Sequence, residues 1–530
     1  MKKIIFTLLS FILSSSILSQ DLPIEWQNTI GGFETDEVYD AFQTTDGGYI
    51  IASSSWSGIS GDKTEPLIGI LDYWVIKLDA TGVIEWQNTI GGTGGERLIS
   101  IAQTNDGGYI LGGYSSSNIS GDKTEDAINN TRDYWVIKLN TSGIIEWQNT
   151  IGGNNFDLLF SISQTADGGY ITGGYSASNI SGDKTENLIG ERDYWVVKLN
   201  SSGTIEWQNT IGGTGDDRLR SIKQTTDGGY ILGGYSTSNI SGDKTENSNG
   251  GSDYWVIKLD TFGVIEWQNT IGGNDNEELL SISLTNDGGY ILGGHSFSNI
   301  SGDKTENSNG GSDYWIIKLD TFGAIEWQNT IGGSDNEFLS SVIQTLDGGY
   351  FAGGWSYSNI SGDKTENSNG SSDYWIIKLD DAGIIEIQNT IGGSESEVLN
   401  KVIQQTDGNF ALVGWSASGI SGDKTEELIG ATDIWIINVN NSTLGVDENE
   451  ISNSFSMYPN PTDSFLTINS NGQLINQISI FSITGKLIKQ VSFENSETKK
   501  TIDVSLFTTG MYLVKIISNE KVVTKKFIKK

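Results

Sequence analysis

An acidic residue stands at the same place in each of seven copies of a repeated segment, shortly after a Gly-Gly pair. A ring of such carboxylates could bind Ca²⁺, which prefers oxygen ligands. The alternative is structural, because a carboxylate after a glycine-rich turn can accept hydrogen bonds from the backbone N–H groups of that turn. We favour the structural interpretation. The seven acids are Asp36, Glu96, Asp157, Asp217, Glu277, Glu337 and Glu397.

A second repeated position carries a ring-bearing side chain in six of the seven copies, and Ser54 occupies it in the first. Aromatic rings at the rim of a polar surface can stack on sugar rings or anchor a protein partner. The alternative is that these rings only cover the ends of the strands. The candidate ligand-binding residues are Tyr114, Tyr175, Tyr235, His295, Trp355 and Trp415.

The residue types argue against several kinds of catalysis. The chain has no Cys, so thiolate metal sites and cysteine nucleophiles are excluded, and a Ser-His-Asp triad would depend on His295. We interpret His295 as an aromatic that replaces Tyr. A glycosidase needs two carboxylates ~5–10 Å apart, and nothing in the sequence selects a pair. No nucleophile–base pair stands out among the few residues that break the repeat, which are His295, Arg97, Arg132, Arg192, Arg218, Arg220, Lys223 and Lys401.

The string Ser-Gly-Asp-Lys-Thr-Glu occurs seven times, and its oxygen-bearing side chains suggest either a calcium loop or a solvated turn. The glycine position and terminal Glu of a calcium-binding hand are missing. The string also lacks the upstream glycine of a phosphate-binding loop. We therefore interpret it as a polar turn that forms its own hydrogen bonds.

These candidate residues lie on a unit of about 60 residues that occurs seven times. The strings I-E-W-Q-N-T-I-G-G and D-Y-W recur at this period, and together with Trp56, Trp355 and Trp415 they account for all 16 Trp. Each unit predicts four β-strands, with a tight Asp-Gly-Gly turn between the first and second. A fixed long period with turn signals indicates a solenoid, a propeller or an array. We predict that the repeated Trp residues pack in the core.

The two ends of the array predict its shape. A lone fourth strand, at residues 24–30, precedes the first complete unit, and the last unit stops after its third strand, at residues 433–439. A closed ring would use the first strand to complete the last unit, which removes two exposed strand edges. We therefore predict an all-β fold with a seven-bladed β-propeller of four-stranded blades, closed by the N-terminal strand.

Composition and the N-terminus indicate where the protein works. Lys and Arg total 32 and Asp and Glu total 67, a net charge of -35 that disfavours nucleic acid as a partner. Residues 1–19 combine a basic start with an apolar run too short to cross a membrane, which is typical of a signal peptide. The rest of the chain contains no apolar run long enough for a membrane span. The sequence predicts no certain cofactor, with Ca²⁺ as the open alternative.

The C-terminal segment differs in composition and carries a family resemblance. Residues 440–454 are polar and predict a linker, and residues 455–530 contain ten Lys but five Asp and Glu. Short alternating strands there predict a small immunoglobulin-like β-sandwich. The segment also contains a set of motif residues, Tyr458, Pro459, Asn460, Pro461, Gly485, Lys486, Gly510 and Tyr512. Through these residues it resembles a type A C-terminal sorting domain of the type IX (Por) secretion system.

That resemblance implies a Bacteroidetes-type source, contact with the type IX machinery, and release or attachment at the outer cell surface. The repeats also resemble those of secreted Bacteroidetes proteins, a group sometimes labelled endoglucanase. We predict that residues 20–439 form the propeller. We further predict that the protein is a non-catalytic binding or adhesion protein whose ligand is polysaccharide or another extracellular polymer. The alternatives are a polysaccharide hydrolase with acids on the loop face, and a structural surface protein without a specific ligand.

Overall fold

A computed structural model describes residues 22–441, 455–470, 475–482, 486–518 and 521–530. These residues form two compact units, of which the first ends at Asn441 and the second is the C-terminal segment. Apart from one short 3₁₀ helix, Ile128–Asn130, the regular structure in the described ranges is β-strand. The predicted signal peptide and most of the predicted linker lie outside the described residues. Within those residues we find no helix of the length and apolarity that a membrane crossing requires.

The first unit is a seven-bladed β-propeller built from seven four-stranded antiparallel sheets, as the repeat predicts. The first strands of blades 1 to 7 are β2 (Asp36–Gln43), β6 (Glu96–Gln103), β10 (Asp157–Gln164), β14 (Asp217–Gln224), β18 (Glu277–Leu284), β22 (Glu337–Gln344) and β26 (Glu397–Gln404). The second strands are β3 (Tyr49–Ser55), β7 (Tyr109–Ser115), β11 (Tyr170–Ser176), β15 (Tyr230–Ser236), β19 (Tyr290–Ser296), β23 (Tyr350–Ser356) and β27 (Phe410–Ser416).

The outer two strands of each blade complete the sheets. The third strands are β4 (Asp72–Leu78), β8 (Asp133–Leu139), β12 (Asp193–Leu199), β16 (Asp253–Leu259), β20 (Asp313–Leu319), β24 (Asp373–Leu379) and β28 (Asp433–Val439). The fourth strands are β5 (Ile84–Ile90), β9 (Ile145–Ile151), β13 (Ile205–Ile211), β17 (Ile265–Ile271), β21 (Ile325–Ile331), β25 (Ile385–Ile391) and, for blade 7, β1 (Ile24–Ile30).

The ring is closed by strand exchange between the two ends of the propeller. Strand β1 pairs antiparallel with β28, so blade 7 has the order β1-β28-β27-β26. The side chain of Gln27 on β1 accepts a 3.0 Å hydrogen bond from the indole N–H of Trp435 on β28. Strand β2 in turn contacts β26 and β27 across the seam. The predicted closure is confirmed.

Large aromatic side chains fill the space between neighbouring blades. Trp74 on the third strand of blade 1 is fully buried, and its indole N–H donates to Gln87 at 3.0 Å. Tyr73 reaches the next blade, where its hydroxyl donates to the carbonyl oxygen of Trp135 at 3.3 Å. The Trp-to-Gln bond recurs in all seven blades and the Tyr-to-Trp bond at six of the seven interfaces, so the predicted packing role of the third-strand Trp residues is confirmed.

Every first strand contains a β-bulge at its fourth residue. The pairing register with the second strand shifts between the third and fifth residues, for example between Leu219 and Ser221 in blade 4. A bulge leaves one residue out of the ladder and re-aims its side chain. The bulged residue Arg220 therefore does not follow the simple alternation of the strand.

The C-terminal unit is a small sandwich of two sheets, as predicted. One sheet has the order β29 (Ser456–Tyr458), β30 (Phe465–Asn469), β33 (Lys499–Asp503), and the other β32 (Leu487–Glu497), β31 (Ile475–Ser482), β34 (Gly510–Ser518), β35 (Lys521–Lys529). Buried side chains from both sheets form its core, including Leu466, Ile480, Val514 and Phe527.

Candidate functional site

The seven repeated acids are all fully buried, and they hold the turns of the face that carries the loops between strands two and three. Asp36 accepts a 2.6 Å hydrogen bond from the backbone N–H of Gly32 and a 3.2 Å bond from the Ser57 hydroxyl. Glu277 accepts hydrogen bonds from the backbone N–H of Gly273 and from the hydroxyl of Ser296, the residue that ends the second strand, each at 2.8 Å. In the described ranges no cluster of three or more acidic or histidine side chains is arranged to hold a metal ion. The geometry matches the structural interpretation of these acids.

Each of these acids lies beside the Asp that begins the third strand of the preceding blade. Burial, with a smaller effect of the neighbouring Glu277, raises the pKa of Asp253 to about 7. Burial likewise raises the pKa of Asp313 to about 7, with Glu337 as its neighbour. A carboxyl pair in this setting retains a proton near neutral pH. Because both members are buried, these pairs cannot contact a substrate.

Each Ser-Gly-Asp-Lys-Thr-Glu loop follows the second strand of a blade and packs against the fourth strand of the same blade. In blade 2, Ser120 and Lys123 exchange backbone hydrogen bonds of 3.2 and 2.9 Å. The Lys123 ammonium donates to the Thr150 hydroxyl and lies 5.5 Å from the Trp135 ring centre. Burial lowers the pKa of Lys123 to about 8. The loop is thus a hydrogen-bonded turn, in agreement with its interpretation from the sequence.

The predicted ligand-binding aromatics occupy equivalent positions but differ in exposure. Tyr175, Tyr235 and His295 are at most 9 % exposed, whereas Tyr114, Trp355 and Trp415 are half-buried. Tyr114, Tyr175 and Trp355 line the central cavity described below. The His295 ring packs edge-on against Phe338 at 4.9 Å, and burial, with a smaller effect of Arg220, lowers its pKa to about 4.

A central cavity of about 960 Å³ runs along the inner strands, and all seven first strands contribute to its lining. The bulged fourth residue of every first strand lines it. This position holds a different residue type in each blade, whereas the string I-E-W-Q-N-T-I is identical in six fourth strands. The seven residues are Tyr39, Ile99, Phe160, Arg220, Leu280, Ser340 and Asn400.

All five arginines of the chain come from one side of the ring, blades 2, 3 and 4, and Arg97, Arg132 and Arg220 line this cavity. Arg97 lies over the rings of Tyr39 and Trp56, at 5.5 and 5.7 Å from their centres. Arg132 lies 5.9 Å from the ring centre of Tyr114. A guanidinium over an aromatic face gains cation–π attraction. Rings and guanidinium groups therefore alternate along this side.

The remaining arginines form a connected group with one carboxylate. Asp216 accepts hydrogen bonds from Arg192 at 2.9 Å and from Arg218 at 2.6 Å. Arg220 donates to the Tyr235 hydroxyl at 3.1 Å, and its Nε atom is buried without a hydrogen-bond partner. The group thus contains three guanidinium groups but one ion-paired carboxylate.

Two lysines lie further along the cavity. Lys401 forms a 2.9 Å ion pair with Asp40 across the seam between blades 7 and 1. Lys223 also lines the cavity, where burial and the positive charge of Lys401 lower its pKa to about 8. The fifth residue of the first strand is serine in blades 2 to 6, so Asp40 and Lys401 mark the seam.

Sequence reasoning identified the residues that break the repeat but did not place them together. The structure places Arg97, Arg132, Arg220, Lys223 and Lys401 in one cavity lining. The sequence did contain a signal for this cavity: the fourth residue of the first strand differs in every copy, whereas most of the repeat is similar. None of the seven predicted acids contributes to this lining.

The sorting-motif residues that the structure describes tie the start of the sandwich to its last strand. Asn460 accepts a 2.9 Å hydrogen bond from the backbone N–H of Ile528 and donates to the Lys526 carbonyl at 3.2 Å. The Tyr512 ring stacks on Phe527, with 5.4 Å between centres. Gly485 lies outside the described residues.

A comparison with known protein families identifies the C-terminal unit. Residues 456–530 match the family described as "Secretion system C-terminal sorting domain". The C-terminal unit is a type IX sorting domain. Such a domain marks proteins that the type IX system exports to the cell surface or the surrounding medium, and it implies contact with that machinery. Type IX export to the cell surface or medium, predicted from the sequence, is confirmed, and the signal peptide stays a prediction.

Other comparisons concern parts of the chain or the fold. A 165-residue segment is 21% identical to Regulatory protein FlaEY of Caulobacter vibrioides, and it spans 29% of this chain and 17% of that protein. The crystal structure of BBS1N in complex with ARL6DN aligns with a TM-score of 0.40 at 7% identity, over 78% of this chain and 96% of that one. The Neurospora crassa Pan2 WD40 domain aligns with a TM-score of 0.39 at 10% identity, over 76% and 89%.

Proposed function

We propose that the propeller is a non-catalytic extracellular binding protein whose ligand, a polysaccharide or another extracellular polymer, enters the central cavity. One observation carries this proposal: the bulged first-strand position differs in all seven blades. Blades that served only as a scaffold would need no such variety. A single asymmetric ligand in the centre of the ring requires different groups on different sides.

The shape and lining of the cavity support a sugar ligand. Its volume of about 960 Å³ lies at the upper end of the ~300–1,000 Å³ that is common for small-ligand sites. Tyr39, Tyr114 and Trp355 supply ring faces, and Ser281 and Ser341 supply hydroxyl groups. Aromatic faces with a few polar groups are suited to a molecule that has both apolar ring faces and hydroxyls.

The lining also explains why we prefer binding to hydrolysis. Among the described residues that line the cavity, Asp40 is the one carboxylate, and it is ion-paired with Lys401. Glycoside hydrolysis by the usual routes needs two carboxyl groups, one of them with a raised pKa. The carboxyl pairs with a strongly raised pKa, such as those of Asp253 and Asp313, are fully buried in the blades and do not line the cavity.

Export begins, in this proposal, with the predicted signal peptide at residues 1–19 and is completed by the sorting domain. A Bacteroidetes-type source fits this route, because the resemblance of the sorting motif points to that group. The charge of -35 suits a protein that stays soluble outside the cell without binding nucleic acid.

The test measures retention of the full chain on a panel of neutral and acidic polysaccharides, together with the release of reducing sugar. Trp355→Ala removes a ring from the cavity lining and should weaken retention. Trp415→Ala is the matched control, because Trp415 occupies the same repeat position outside that lining. Retention without sugar release supports the proposal. Sugar release would identify a hydrolase, and no retention on any polysaccharide would favour a structural surface protein.

A further inference from the structure

The cavity carries positive charge that the protein itself does not neutralise. Arg132, Arg220 and Lys223 line it, and none of the three forms an ion pair with a residue that the structure describes. Arg97 faces Glu37 at 3.5 Å, which is longer than a close ion pair. The chain as a whole has a net charge of -35, so this concentration of cations is local and specific.

Positive charge held in a partly enclosed cavity without a carboxylate partner is costly for a protein to maintain. Burying a charge disfavours folding unless a partner of opposite charge or several hydrogen bonds accompany it. The buried and unpartnered Nε atom of Arg220 is a donor without an acceptor. An anionic group on a bound ligand would supply that acceptor.

A side niche of about 330 Å³ shows how such a ligand would be held. Its lining includes Trp56, Tyr114, Arg97 and Arg132, and the last three also line the central cavity. The niche and the cavity therefore form a continuous surface with two ring faces beside two guanidinium groups. A planar guanidinium binds carboxylate and sulfate groups through paired hydrogen bonds.

We propose that the ligand of this cavity is an anionic glycan, whose carboxylate or sulfate groups bind Arg97, Arg132 and Arg220 while its sugar rings pack on Trp56 and Tyr114. The inference rests on the proposed glycan-binding function and narrows it. Acidic glycans are repelled by the net negative charge at long range, but this repulsion is screened beyond ~8 Å at physiological ionic strength. The close contacts in the cavity then decide binding.

The experiment uses calorimetric titration of the full chain with a tetrasaccharide of uronic acid residues. Its matched control ligand is the same tetrasaccharide with each carboxyl group reduced to an alcohol. A sulfated neutral-sugar tetrasaccharide forms the third arm and distinguishes sulfate from carboxylate as the source of the charge. We expect binding of the uronic or the sulfated ligand, and affinity for the reduced ligand at least about tenfold lower.

The variants test whether the arginines are responsible. Arg132 is exposed, so Arg132→Gln should leave the fold intact and weaken binding of the acidic ligand about tenfold or more. Arg132→Lys retains the charge and should recover part of the affinity. Lys526→Gln removes an exposed charge from the sorting domain and should have no effect.

The outcomes separate this inference from the function on which it rests. Equal binding of the acidic and the reduced tetrasaccharides would retain glycan binding and overturn the anionic specificity. If Arg132→Gln binds the acidic tetrasaccharide as tightly as wild type does, the anionic group binds elsewhere, and the inference is equally overturned. Absence of binding to all three ligands, together with no retention on the polysaccharide panel, would refute the proposed function itself.

Discussion

Replacing one member of a buried carboxyl pair should stabilise the propeller at alkaline pH. The change is Asp253→Asn, which removes the charge that Asp253 carries above its pKa. In the folded protein burial and Glu277 raise that pKa from 3.8 to about 7. A folded-state pKa above the unfolded value means that stability is greatest at low pH and is lost as the pH rises through about 7. Asn does not ionise, so the variant does not lose this stability as the pH rises.

The magnitude follows from the size of the shift. At ~1.36 kcal/mol per pKa unit, the shift sets an upper limit of about 4 kcal/mol for the gain near pH 8. Relaxation and the shared proton of the pair reduce this limit, so we expect about 1–2 kcal/mol. Near pH 5 the wild-type carboxyl is protonated in the folded state but ionised in the unfolded state, so the gain should be less than half of that near pH 8.

The assay is denaturant unfolding of the full chain near pH 5 and near pH 8, followed by tryptophan fluorescence. Asp260→Asn is the matched control, because it removes one carboxylate from a turn whose equivalents are Asn140 and Asn200 in blades 2 and 3. The control should not show the gain at high pH. If Asp253→Asn gains no more stability over wild type near pH 8 than near pH 5, the paired-carboxyl reasoning is refuted.

Two further predictions concern the seam of the ring. Lys401→Met removes the cation that faces the partly buried Asp40 and should reduce the free energy of unfolding by about 1 kcal/mol. The double variant Asp40→Ser, Lys401→Ser has the serine that the other blades carry at this position, and it should recover the lost stability. A double variant less stable than Lys401→Met would contradict this. Deletion of residues 20–30 removes β1 and exposes β28, so the melting temperature should fall sharply and the monomer should aggregate through the free edge. Light scattering and thermal unfolding test this, and an unchanged melting temperature would show that closure is dispensable.

Much of the fold could be predicted from the sequence, because it depends on local patterns and on counting. The 60-residue period, the Asp-Gly-Gly turns and the strand alternation predicted four strands per unit. The orphan strands at the two ends predicted closure by β1. The order of the sorting motifs, from Tyr458 to the basic C-terminus, predicted the second unit and the export route. These features are local patterns or regular repeats of them, so the sequence displays them directly.

The identity of the candidate site followed only from the tertiary structure. Arg97, Arg132 and Arg220 are separated by tens of residues, and closure of the ring brings them to one cavity. Strand alternation alone would place Arg220 and Ser221 on opposite faces. The bulge in each first strand turns the fourth residue toward the cavity together with the fifth, as both line it. A bulge depends on pairing with the neighbouring strand, so the single-strand pattern carries no sign of it.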